Sequence, residues 1–412
     1  MAERIERPAW TVWTITWISY ATYYFGRKNL SVTKAAIGRE LGAHALYGVE
    51  TAYLAAYAAG QYLSGWLGDR VGSRALVGVG MLVAAAASFS FGLGSAGVFF
   101  LVVAVVNGLA QSTGWPGNVK AMEEWTTPES RGRVMGFWAT CYQVGGIAAT
   151  AFAAWLLARS GWRAAFFGPA AVLGAVGVAV LVLVRPGPRS ARAAEARPGD
   201  VGAKSDAAVE AAKRERRAVA LSATVWWYGA SYFFIKLIRY SLLFWLPFYL
   251  ETVLRYAPGE AGYFSTSFEV GGVCGTIALG WISDRLRFLP RSMICSVSLI
   301  GLAGALYAYT LVGGSTHAVN FAVMALVGAL LYGPDSLLSG AAAQDLGGRN
   351  AAALAIGMIN GLGSVGAVSQ ELITRTVSRI WSWNAVFYVL LVSALAAAAL
   401  LAPTFQGRRT QG

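Results

Sequence analysis

Gly65-Trp66-Leu67-Gly68-Asp69-Arg70 returns as Gly280-Trp281-Ile282-Ser283-Asp284-Arg285, 215 residues further along a chain of 412. Each copy follows a long apolar segment. Other landmarks repeat at nearly the same offset. Pro116 matches Pro334 at 218, Arg133 matches Arg349 at 216, Trp162 matches Trp383 at 221, and Arg27 matches Arg239 at 212. A half-chain unit used twice in the same orientation is the mark of parallel transporter repeats, which place a substrate site near the bilayer midplane where the repeats meet.

The composition agrees with a membrane solvent. The chain is 56% hydrophobic and 13% charged, with a mean hydropathy of +0.53, values of integral membrane proteins. Its 49 glycines suit helices that pack backbone to backbone. A spanning helix needs about 20 mostly apolar residues. Twelve segments meet this, near 10–30, 46–68, 74–93, 97–120, 132–158, 163–184, 218–250, 260–283, 291–312, 317–341, 350–375 and 382–402. The expected fold is an all-α membrane protein of twelve transmembrane helices in two pseudo-symmetric six-helix halves, 1–184 and 218–412. The stretch 185–217, rich in Arg, Ala, Pro and Gly, is expected as a cytoplasmic linker with a short helix over Asp206–Arg217.

The formal charge of +13 does not point to nucleic acid, because the cations sit in loops between spans. With both termini inside, 21 Lys and Arg fall on inner segments and seven on outer ones, including Lys34, Arg39, Arg375 and Arg379. That bias places both termini in the cytoplasm. Arg4 and Arg7 precede an apolar run as in a signal peptide, but no small-residue cleavage site follows, so the run is expected as a retained first span. The two histidines have no partners at metal-ligand spacing. Cys141, Cys274 and Cys295 lie in or beside apolar segments and are expected as small buried hydrophobes. No Walker motif, Ser–His–Asp set or paired-carboxylate arrangement is present, so neither ATP drive, cofactor nor catalysis is implied.

Chemistry concentrates in Tyr20-Ala-Thr-Tyr-Tyr-Phe-Gly-Arg-Lys-Asn-Leu30. Arg27 and Lys28 fall inside the first apolar segment, where a cation costs about 2.5–3.5 kcal/mol at a helix centre. On a continuous helix Tyr20, Tyr24 and Arg27 share one face, offering phenol hydroxyls and a guanidinium fork to an anion. Lys28 either joins that face or snorkels to an interface. In the second repeat Tyr232, Lys236, Arg239 and Tyr240 share a face in the same way. Lys236 is read either as a third cation for the anion or as the partner of a carboxylate such as Glu269.

The loop Gly65-Trp-Leu-Gly-Asp69-Arg70-Val-Gly72-Ser-Arg74 resembles the conserved loop between spans two and three of the major facilitator superfamily. Within that superfamily, Tyr23-Tyr-Phe-Gly-Arg27-Lys28-Asn29, Asn107-Gly-Leu-Ala-Gln-Ser-Thr-Gly-Trp115-Pro116-Gly117 and Arg239-Tyr-Ser-Leu-Leu-Phe-Trp245 are similar to the first, fourth and seventh spans of the organophosphate:phosphate antiporter family. Glu269-Val-Gly-Gly-Val-Cys-Gly275 is similar to its glucose-6-phosphate translocase group. The resemblance implies that Arg27 and Arg239 clamp a phosphate; Gln61, Tyr142 and Trp115 stand at or beside the family's motif positions, and the two helix faces add Tyr20, Tyr24, Lys28, Lys236 and Tyr240 as candidates for the binding region. The resemblance also implies gating for Asp69, Arg70, Asp284 and Arg285, whose charges pair with neighbouring helix ends in one state and release in another.

Three positions depart from the family. Gln61 stands where a lysine is common, Tyr142 where glycerol-phosphate transporters have a histidine, and Phe244 where an aspartate is common. The resemblance therefore implies a small anionic substrate whose organic part differs from glycerol or glucose. The implied mode is alternating access by a monomer in a bacterial-type inner membrane, most simply by exchange with inorganic phosphate. A proton-coupled carrier of a phosphonate, sulfonate or carboxylate is the other transport reading, with Glu269, Asp335 and Glu371 as proton carriers. A sensor of the same fold that binds without transporting is a third. Trp115-Pro116 and Gly333-Pro334 are expected to break or kink spans four and ten. Asp335 is placed within reach of Lys236 or Lys120, and Asn360, Gln370 and Glu371 on a cavity wall. Gly271-Gly272 and Gly361-x-Gly363 are read as helix-packing contacts, since no strand precedes them.

Overall fold

The computed structural model describes residues 7–125, 138, 140–184, 206–286 and 288–405. The first span is not one helix. Helix α1 (Arg7–Tyr23) gives way to a 3-10 turn over Tyr24–Gly26, and α2 (Asn29–Leu41) resumes beyond it. Spans two and three follow as α3 (Val49–Leu93), four as α4 (Gly97–Gln111) and α5 (Gly114–Glu124), and five and six as α6 (Thr140–Leu183). The linker helix is α7 (Asp206–Ala220). Spans seven to twelve are α8 (Ala223–Thr252), α9 (Pro258–Arg285), α10 (Arg291–Val312), α11 (His317–Ser339), α12 (Ala341–Ile380) and α13 (Trp383–Leu401).

Two of the long helices are hairpins joined through a single residue. Gly72 has φ 78°, ψ 161° inside α3, and Gly161 has φ 79°, ψ 177° inside α6. Nothing crowds the space a Cβ would take at either position. The positive φ, which L side chains rarely adopt, is what requires glycine. Gly72 is the glycine of the Asp69-Arg70-x-Gly72 loop, so part of that motif's chemistry is backbone geometry.

The outer surfaces of the helices are apolar. On α4, Val98, Phe99, Val102, Val105, Val106 and Leu109 are all exposed, a surface that lipid, not water, would cover. The stretch Trp383–Thr404 has a mean hydropathy of 2.5. Among the described residues, seven stretches of helix are long and apolar enough to cross a membrane by length and composition alone, one of them the double-length α6. Of the others, span one falls short in length, since α1 has 17 residues, and spans two, eight and eleven carry buried carboxylates such as Glu50, Glu269 and Glu371. The protein is an integral multi-pass membrane protein.

The chain forms two compact units: Met1–Val201 with Leu250–Thr266, and Gly202–Tyr249 with Ser267–Gly412. In the first, the core gathers Tyr20, Tyr23, Tyr24, Met81, Met122, Trp138, Cys141 and Leu173 between α1, α3, α5 and α6. A Cβ on Gly145 would meet the backbone of Ala21, so α6 touches α1 main chain to main chain. The segment Leu250–Thr266 belongs to this unit. Glu251 accepts from Arg39 Nη1 at 2.5 Å, and a Cβ on Gly259 would lie 2.8 Å from Ala158 Cβ. In the second unit, a Cβ on Gly271 or Gly275 would strike the carbonyls of Ala325 or Ala329, and one on Gly328 that of Phe268. Gly272 packs on the Tyr332 ring, and Gly363 on the ring of Tyr232. These glycines are helix contacts, the small-residue packing that lets helices close without a hydrophobic drive.

Several expectations change. Lys34 is not in an outer loop; it is buried in α2 and paired with buried Glu50. Arg375 and Arg379 lie in α12, and Arg375 pairs with Glu371 at 3.3 Å. Cys141 and Cys295 are buried, but Cys274 is exposed on the apolar flank of α9.

Candidate functional site

A helix break inside a membrane leaves carbonyls without partners, and hydrocarbon supplies none. At the α1–α2 break the partners come from α4. Asn107 Nδ2 donates to the Gly26 carbonyl at 3.1 Å, and Gln111 Nε2 donates to the Tyr23 carbonyl at 3.1 Å. The other end of the Gln111 amide accepts from Arg27 Nε at 2.8 Å. One side chain thus closes the break and fixes the guanidinium. Gly26 makes room for it, since a Cβ there would sit 2.6 Å from Gln111 Nε2. Tyr23 ties the same corner to its neighbours. Its hydroxyl pairs with Thr113 Oγ1 at 2.8 Å and donates to the Val77 carbonyl at 3.1 Å.

Arg27 lies among aromatic rings. Its Cζ is 4.9 Å from the centroids of Tyr24 and Tyr57 and 5.7 Å from that of Tyr20. The shared face of Tyr20, Tyr24 and Arg27 therefore survives the break, by a different backbone path. Trp115 stacks edge-on to Tyr20 at 5.2 Å, and Tyr142 packs half-buried against this cluster. Gln61 is half-buried one helical turn beyond Tyr57 on α3. Lys28 is only 3% exposed, so it does not snorkel to an interface. Among the described residues, no carboxylate pairs with Arg27. Its fixed neighbours are an amide and phenols, which donate or accept hydrogen bonds but carry no charge.

The second unit arranges its cations differently. Arg239 Nη1 donates to Asp335 Oδ2 at 2.9 Å, with side-chain exposures of 14% and 4%. Its Cζ lies 4.8 Å from the Tyr332 ring and 5.7 Å from that of Tyr240. Lys236 Nζ, one turn away, donates to the Asn360 carbonyl at 3.3 Å and to Ser364 Oγ at 3.4 Å. Asp335 is thus the partner of Arg239, not of Lys236 or Lys120. Lys120 donates to the Gly68 carbonyl. Glu269 is buried. Phe244 is buried beside Tyr240, ring centroids 6.0 Å apart.

Gln370 does not line an open wall; it is buried and accepts from Trp245 Nε1 at 3.0 Å. A small apolar void of about 10 Å³ lies nearby, lined by Ser241, Trp245, Tyr249, Thr374 and Trp383, too small and too apolar for an organic anion. In the repeated loops, Asp284 approaches Arg291 at the start of α10 at 3.7 Å, and Arg285 stacks on Trp281 at 4.3 Å. Arg70 is exposed. The side chains of Asp69 and Arg349, and residues Arg131 and Arg133, lie outside the described part. Pro116 sits at the start of α5, just past the break after Gln111, and Pro334 within α11.

The residues missed from sequence are Gln111 and Tyr57. Both had a signal. Asn107 and Gln111 are amides four apart in an otherwise apolar helix, and Tyr53, Tyr57 and Gln61 repeat every four residues.

The Major Facilitator Superfamily model matches residues 16–370. The chain is 32% identical over 434 residues to "Putative glycerol-3-phosphate transporter 2" of Arabidopsis thaliana, covering 95% of this chain and 85% of that protein. It is 32% identical over 385 residues to "Sugar phosphate exchanger 3" of Gallus gallus, covering 84% and 76%. It is 29% identical over 454 residues to the "Glucose-6-phosphate exchanger SLC37A2" of Homo sapiens, covering 94% and 90%. Among solved structures, a D-xylose-proton symporter aligns with TM-score 0.72 at 15% identity, covering 95% of this chain and 97% of that one. That likeness concerns the fold alone. A matching family model over most of the length, and relatives of one kind along nearly all of it, agree with a twice-used helical unit that buries an arginine in each copy: the chain belongs to the major facilitator superfamily, in its organophosphate:phosphate antiporter branch.

Proposed function

We propose that this protein is a secondary transporter that exchanges a small organophosphate for inorganic phosphate by alternating access. Arg27 of the first unit and Arg239 of the second each ligate the phosphate during the cycle. A guanidinium fork can give two charge-assisted hydrogen bonds to a phosphate. The membrane is a bacterial-type inner membrane with both termini cytoplasmic, as the Lys and Arg distribution favours.

The observation that carries this reading is Arg27. It is a half-buried cation in a membrane helix break, held by a neutral amide and surrounded by phenols. A charge in such a place is costly unless an anion compensates it. Three tyrosines and one arginine suit a phosphate, which takes several donors at once. The relatives' names supply the organic part only as a class: glycerol-3-phosphate in one group, sugar phosphates in others. Gln61, Tyr142 and Phe244 mark where this chain's preference departs. Asp284, with Arg291 beside it, and its counterparts Asp69, Arg70 and Arg285 serve as contacts made and broken between states.

The test is phosphate counterflow in proteoliposomes. Vesicles loaded with unlabelled phosphate are given labelled phosphate outside, and wild type is compared with Arg27→Ala and Arg239→Ala. Saturable uptake in wild type, lost in both variants, supports exchange. Uptake that needs a pH gradient and no internal phosphate moves the reading to a proton-coupled carrier.

A further inference from the structure

Arg27 and Arg239 hold matching places in the two repeats, 212 residues apart, yet their surroundings differ in charge. Arg27 meets an amide. Arg239 meets Asp335, a carboxylate that is itself 4% exposed. With Lys236 also on this face, the second unit sets two cations beside one carboxylate, whereas among the described residues no carboxylate pairs with Arg27. Asp335 stands directly after Pro334, inside the continuous helix α11, and its second oxygen, Oδ1, is buried with no hydrogen bond. Arg239 thus holds one oxygen of the carboxylate through Nη1, while the guanidinium keeps 14% of its surface open.

We propose that Asp335 is a tethered counter-anion: it occupies Arg239 between substrates and competes with the incoming anion for it. It thereby lowers affinity and hastens release. This rests on the reading of Arg239 as an anion ligand. The alternating step gains from it, because Arg239 is never left as a bare charge when the substrate departs. The cost appears in binding. An anion must find Arg239 released from Asp335, so its apparent affinity is scaled down by the released fraction. If about one molecule in ten has the pair open, removing the carboxylate tightens binding about tenfold.

The test measures binding of inorganic phosphate and of sulfate to purified full-length protein, with phosphate counterflow alongside. Asp335→Asn is expected to bind anion about tenfold or more tightly and to exchange more slowly at saturation, because release slows. Asp335→Glu keeps the charge and is expected to stay within about threefold of wild type, which a merely structural role would not produce. In an Arg239→Ala background the Asn substitution is expected to change nothing. Asp335→Ser stands in if the Asn variant does not fold, judged by gel filtration and thermal midpoint. Failure of both to fold marks Asp335 as an anchor and overturns the proposal. So does unchanged or weaker binding in a well-folded Asn variant. Phosphate exchange that is normal and indifferent to Asp335 sinks the counter-anion alone and leaves the antiporter. Sulfate binding that Asp335→Asn tightens, with no phosphate binding at all, sinks the organophosphate reading and leaves the counter-anion. No binding of either anion to any variant overturns both.

Discussion

Replacing Gln111 by Glu would give Arg27 the carboxylate that it lacks. The side chain keeps its length, and its oxygen still meets Arg27 Nε, now 2.8 Å away as a charged acceptor. Two charges about 4 Å apart attract by about 4 kcal/mol at an effective dielectric of 20, so the guanidinium is held at least as firmly as before. A phosphate bound on the open side of Arg27 would lie about 8 Å from the new carboxylate, and each unit of its negative charge would be repelled by about 2 kcal/mol at the same dielectric. The expected result is phosphate binding weakened about thirtyfold for a monoanion and more for a dianion. Losing the amide donor to the Tyr23 carbonyl should cost about 1 kcal/mol of stability as well. Phosphate binding to purified protein measures the first effect, and thermal unfolding in detergent the second. Gln111→Met, which loses both hydrogen bonds without adding charge, separates packing from electrostatics. Unchanged phosphate affinity in a folded Gln111→Glu protein would mean that the anion does not approach Arg27, and the reading of this face would fall.

Other expectations follow from contacts elsewhere. Lys34→Met strands Glu50 in a buried place and should cost about 3–5 kcal/mol, most of it recovered when Glu50→Leu is added; thermal midpoints of the single and double variants decide this. Gly145→Ala pushes a methyl into the Ala21 backbone and should cost about 1–3 kcal/mol, whereas the same change at Gly280, where nothing crowds the added carbon, should leave the midpoint unmoved. At the end of α2, the Trp162 indole and Arg163 both donate to Glu40 and hold its carboxyl below the ordinary range. That contribution is present above the usual carboxylate range and disappears as pH falls through the lowered value. The midpoint gap between wild type and Glu40→Gln should therefore narrow from pH 7 to pH 3, and a gap that widened on acidification would contradict the assignment.

Twelve spans and their duplication were legible because apolar length and the Gly-Trp-x-x-Asp-Arg repeat are properties of the sequence itself. The first span was legible as a membrane segment but not as a broken one. The partners that make the break tolerable, Asn107 and Gln111, are more than 80 residues away from it. Counting cations by loop misplaced Lys34 and Arg375 for a physical reason. Each is paired with a carboxylate inside the protein, and such a pair tolerates a depth that a lone charge does not. The same blindness to partners hid the Arg239–Asp335 pair. Asp335 was visible as an intramembrane acid, but Lys236 and Arg239 lie one turn apart on α8, and sequence alone does not choose between them.

The break between α1 and α2 also has a consequence for how the chain is made. When the ribosome has delivered the first span, the amides that will cap its open carbonyls do not yet exist. At about 5–20 residues per second, Asn107 and Gln111 emerge roughly four to seventeen seconds after Tyr23 and Gly26. For that interval a segment with two cations and two uncapped carbonyls has no fixed partners. It must wait at the wet edge of the insertion machinery or stay shielded by it, and it settles only when the fourth span arrives. Nascent chains truncated before residue 107 should therefore hold their first span loosely, extractable from the bilayer, and chains extended past residue 125 should hold it fast.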